Sequence, residues 1–129
     1  MLLKVITLKS QSFNQALKVL MSDASLSIGE RWLLADLKKE ISDASKKARD
    51  TEESLIEKYK GFLKPDLKAD TGIAEDMVTN PEEFRKDFIE LNDTELEIKF
   101  EKPLPLGETK LTAEQMFLLR EVGIICQKL

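Results

Sequence analysis

The sequence predicts an α+β fold, mostly helical, in a single domain over residues 1–129. It should hold one long amphipathic helix, three shorter helices and a two-stranded antiparallel ribbon. Three observations carry that expectation. An apolar stripe at heptad spacing runs through residues 27–62. Two capping boxes and an Asn-Pro step mark helix starts. Two runs rich in β-formers, residues 2–8 and 95–101, stand as the strand candidates.

Residues 2–8 partly alternate, with Leu2, Lys4, Ile6 and Leu8 on one face and Leu3, Val5 and Thr7 on the other, which reads as a strand. Residues 12–22 place Phe13, Ala16, Leu17, Leu20 and Met21 on one helical face, with Ser10 or Ser12 as cap. The brief connector Asp23-Ala24-Ser25-Leu26 predicts that this helix and the next are antiparallel neighbours. Ser27 and Glu30 then form a capping box that opens the long helix.

Within that helix Leu34, Leu37, Ile41, Ala44, Ala48, Thr51 and Leu55 recur at 3-4 spacing, the pattern of a coiled-coil seam. At ~1.5 Å per residue the helix spans about 50 Å, and each shorter helix only about 18 Å. Its second half is therefore expected to project and to offer these seven residues as an interface to a second copy. Trp32 and Leu33 widen the apolar face at the helix start, where the first helix and the strand would cover them. Tyr59 is read as core or interface. Gly61 ends the helix, with Lys58 and Lys60 suited to its C-terminal dipole.

Residues 64–79 read as a flexible loop, punctuated by Pro65, Asp66, Asp70, Gly72 and Asp76. Asn80 caps the next helix, with Pro81 at its first position and Phe84, Phe88 and Leu91 on its apolar face. Residues 95–101 alternate strictly, with Leu96, Ile98 and Phe100 facing in, and pair with residues 2–8. Leu104 and Leu106 hold the following connection on the core. Thr112 and Gln115 form the second capping box, and Gly123 closes the last helix. The apolar tail Ile124-Ile125 is expected to tuck back.

Composition argues against chemistry. Histidine is absent, which removes the commonest general base and metal ligand. Cys126 is the one cysteine and sits in an apolar run, where a buried small hydrophobe is the plain reading. No phosphate-binding glycine loop, nucleophile elbow or calcium-loop spacing occurs. No enzyme, cofactor or metal site is expected. The acids outnumber the bases 24 to 20, for a net charge of −4, and no basic run with interleaved aromatics appears, which argues against nucleic acid. No stretch is long and apolar enough to suggest a membrane span.

Three segments of the chain, residues 26–61 (LSIGERWLLADLKKEISDASKKARDTEESLIEKYKG), 80–100 (NPEEFRKDFIELNDTELEIKF) and 111–125 (LTAEQMFLLREVGII), in that order after a short strand, resemble a class of small phage and prophage proteins of unknown function. Those have a helical Lys-Tyr-Gly segment, a Glu-x-Glu-Ile segment and a closing Leu-Ser/Thr helix; here Lys60 intervenes before Gly61. The resemblance implies a place among structural or assembly proteins, in the host cytoplasm or the virion, and no catalytic residue. Two functions are expected from this: a structural or assembly protein acting through helix-mediated homo-oligomerisation or virion association, or an inhibitor or adaptor that binds a host protein through an acidic surface.

Overall fold

A computed structural model describes residues 1–65, 73–100, 103–105 and 110–126. In chain order the elements are β1 (Leu2–Lys4), α1 (Val5–Lys9), α2 (Gln11–Met21), α3 (Ile28–Lys60), a 3-10 turn (Glu75–Met77), α4 (Pro81–Asp93), β2 (Glu95–Glu97), β3 (Leu104–Pro105), α5 (Ala113–Glu121) and β4 (Ile125–Cys126). The architecture is the mostly helical α+β arrangement that the sequence predicts, with one dominant helix of 33 residues. It differs in one extra short helix and one extra pair of strands.

The extra helix replaces most of the first predicted strand. β1 pairs antiparallel with β2, in the register Leu2 to Glu97, Leu3 to Leu96 and Lys4 to Glu95. Beyond Lys4 the facing chain has already turned into the end of α4. The Val5 amide therefore donates to the Thr94 carbonyl (3.0 Å), and the chain coils. Val5 and Leu8, three apart, then both point inward. Local β-preference yields here because no strand remains to pair with. Ile98 extends the ladder through bonds with Met1 in both directions (2.7 and 3.0 Å). The predicted strand thus pairs regularly only over Glu95–Glu97, while Ile98 still faces the core.

The helix starts follow the sequence. Ser10 accepts from the Phe13 amide at the head of α2. Ser27 with Glu30 and Thr112 with Gln115 close reciprocal capping boxes. Asn80 occupies the cap position of α4, but its side chain donates to Glu83 Oε2 (2.8 Å) instead of accepting from the backbone. Gly123 adopts φ +88 just past α5, the left-handed conformation that stops a helix. Gly61, by contrast, stays right-handed at φ −74. The second strand pair is parallel, Leu104 to Ile125 and Pro105 to Cys126, and it seats the tail Ile124-Ile125 in the core. Cys126 is exposed, not buried: in β4 alternate residues face opposite sides, and Ile125 takes the inner one. Within the predicted loop Glu75–Met77 form the 3-10 turn, and the fully buried Val78 bridges to Leu63. Gly72, Asp66, Asp70 and Leu106 lie outside the described residues.

Three apolar clusters succeed one another along α3. The largest gathers Leu34, Leu37 and Ile41 with residues of β1, α1, α2, α5 and the second strand pair. The next joins Ala48 to Val5 and Leu91. The third surrounds Tyr59 with Val78 and Phe84. Truncating the stripe inside the largest cluster removes buried methyl groups and leaves a void, so Leu37→Ala should lower unfolding free energy by about 3 kcal/mol in urea titration. A loss below about 1 kcal/mol would mean that the site is not packed as described.

Candidate association surfaces

The seven seam residues are used within the chain. Leu34, Leu37, Ile41 and Ala48 are at most 6% exposed, and Ala44 and Leu55 are half-buried against the same clusters. Thr51 alone is exposed, its hydroxyl donating to the Lys47 carbonyl (3.0 Å). The expectation of a free, projecting stripe is thereby corrected. No single short helix spans the stripe, but α1 and α4 both pack on α3 and together cover its second half, Val5 and Leu91 at Ala48 and Phe84 at Tyr59.

The apolar residues that do face water lie elsewhere on α3. Ile28 is 68% exposed and Trp32 71%, one turn apart on one face, with Leu33 beside them. The expected cover from α2 and the first strand does not reach them. The connector before α3 is ordered by Asp23, whose Oδ1 accepts from the Ser25 amide (2.9 Å) and hydroxyl (2.7 Å). Those bonds hold the Asp23 carboxyl below its usual range.

A second feature lies between α2 and α3. The two helices share the main apolar cluster, through Phe13, Leu17 and Leu20 of α2 and Leu34, Leu37 and Ile41 of α3, while the backbone of α2 lies closest to α5 and that of α3 to α1 and α4. A groove of about 570 Å³ separates them. Leu17, Met21, Leu34, Leu37 and Ile41 supply its apolar lining, all but Met21 more than nine-tenths buried, and Lys18, Lys38 and Arg49 line it with Asn14, Ser42 and Ser45. Sequence reasoning missed the groove because capping and periodicity give helices but not the gap between them.

The far end of α3 is pinned by a polar knot in which Tyr59 is buried, Asp87 half-buried and Lys58 exposed. The hydroxyl of Tyr59 donates to Asp87 Oδ2 (2.6 Å), which also accepts from Lys58 Nζ (3.0 Å). Burial, then the bond to Asp87, push the Tyr59 phenol up to about 12. The bonds from Tyr59 and Lys58 hold the Asp87 carboxyl below its usual range. Phe84 meets the Tyr59 ring edge-on, with centroids 5.0 Å apart. The knot joins α3 to α4 and is structural in form, a partly exposed carboxylate held by two donors at the edge of an aromatic cluster.

Compared with protein-family models, curated proteins and solved structures, the chain matches none.

Tyr59 is the one tyrosine, so its ionisation can be followed directly by the ultraviolet absorbance of tyrosinate. The folded protein should titrate near 12 and the unfolded chain near 10. Because the folded value is the higher, this group's contribution to stability is complete below about pH 10 and is lost as pH rises toward 12. A midpoint near 10 in the folded protein would show that the phenol is solvated. The Asp87 contribution runs the other way: it is present above the ordinary carboxylate range and fades as the solution is acidified.

Proposed function

We propose that this chain is a non-enzymatic structural or assembly protein of the phage type, acting by helix-mediated association with a second copy of itself or with a virion partner. The observation that supports this reading is the face made by Ile28 and Trp32, two large apolar side chains left in water on adjacent turns of a rigid helix. Tryptophan is over-represented among residues that dominate binding energy. Full burial of each side chain would contribute about 1.5–3 kcal/mol, enough to matter at an interface of modest size. A helix that presents such a face is also preorganised, so little conformational entropy is lost on docking. The association surface is thus the N-terminal turns of α3, with the heptad stripe serving the fold.

Trp32 is the one tryptophan and reports on this surface. Light scattering and tryptophan emission should be followed over a dilution series. Self-association predicts a multiple of 14.7 kDa at high concentration and an emission maximum that moves to the red on dilution. Trp32→Ala and Ile28→Ala should each weaken the assembly about tenfold or more without lowering thermal stability. A monomer with red-shifted emission at every concentration would contradict self-association.

A further inference from the structure

The groove between α2 and α3 combines two properties that are seldom left together without a reason. Part of its lining is apolar, and the charged part is positive on a protein whose net charge is −4. Lys18 projects from α2, and Lys38 and Arg49 from α3, so the cations stand on both walls. All three are exposed, and none makes an ion pair among the described residues. Elsewhere Lys4, Lys9, Lys58, Lys60 and Arg85 meet carboxylates, while Lys39, Lys46 and Lys47 on other faces of α3 make no ion pair among the described residues either, so the mark of the groove is its lining and not the lack of a pair. No acidic side chain is found among the described residues that line the groove, although α3 carries many acids on its other faces.

We infer that this groove seats an acidic amphipathic helix of a partner protein, laid along α3. The spacing of the charges selects this occupant. Eleven residues of α3 separate Lys38 from Arg49, about 16 Å along the axis, too far apart for one anionic head group but matched by carboxylates on successive turns of a helix. The lining residues of α3 run from Leu34 to Arg49, about 22 Å, the length of a helix of about 15 residues. Apolar side chains at every third or fourth position would enter between α2 and α3 over Leu17, Leu37 and Ile41, and the flanking acids would meet Lys18, Lys38 and Arg49. Electrostatic complementarity of this kind sets partner choice and association rate. The site is separate from the Ile28–Trp32 face, so either can fail without the other.

The test uses the full chain and two fluorescein-labelled helical peptides of about 15 residues with leucines on one face, one with glutamates on the other face and one with lysines. Binding is read by anisotropy and located by backbone amide NMR shifts. The expected result is that the Glu/Leu peptide binds, shifts amides of α2 and residues 34–49, and weakens as salt is raised, while the Lys/Leu peptide does not bind. The double variant Lys38→Glu, Arg49→Glu should weaken the Glu/Leu peptide about tenfold or more. Circular dichroism confirms that the variant folds, and Trp32→Ala should bind as the parent does. The inference is overturned if neither peptide binds, if both bind alike, or if the shifts cluster at Ile28 and Trp32. It is overturned as well if dodecanoate fills the groove where the Glu/Leu peptide does not.

Discussion

A single helix of 33 residues sets the terms for everything else in this fold. An α-helix about 50 Å long with an apolar stripe must hide most of that stripe, and no other element among the described residues exceeds 13 residues. The solution is a relay. α2 and α5, with the two strand pairs, cover Leu34 to Ala44. The short α1 brings Val5 to Ala48, and α4 brings Leu91 and Phe84 to the far turns. Each partner is too short to be stable alone, since isolated helices below about 12–15 residues are marginal in water. The long helix and its covers therefore depend on one another for stability.

The relay also explains the polar knot. A cover assembled from several short pieces needs fixing at its end, where the last piece can slide. Tyr59 is fully buried and donates to Asp87, and Lys58 holds the same carboxylate from outside. A charged acceptor between two donors is directional in a way that apolar contact is not. It fixes the rotation of α4 on α3, and with it the position of Phe84 and Val78 around the tyrosine ring.

Much of this was legible in the residues. Ser27 with Glu30, and Thr112 with Gln115, are local grammars that name a helix start with little help from the rest of the chain, and both form as expected. The strict alternation of Leu96 and Ile98 marks the strand β2, and Leu3 pairs opposite Leu96. What could not be read depends on distant partners. Val5 and Ile6 favour strands, yet the chain coils there because Thr94 sits where a strand partner would be. Cys126 faces outward because β4 takes its inner position with Ile125. The stripe from Leu34 to Leu55 carries the same spacing whether the cover comes from this chain or another, and periodicity alone cannot tell the two apart. Trp32 shows the converse: a large apolar residue on a helix reads as core, yet it lies on a face of α3 that no other described element covers.

The central claim is that one chain covers the stripe at every seam position but Thr51. Native-state hydrogen exchange of the α3 amides, followed residue by residue at two widely separated protein concentrations, tests it most directly. Cover from within predicts that amides from Leu34 through Tyr59 share one protection level close to the global unfolding free energy, unchanged by dilution. Rapid exchange from Ala44 onward, or protection of that half which falls as the protein is diluted, would contradict it.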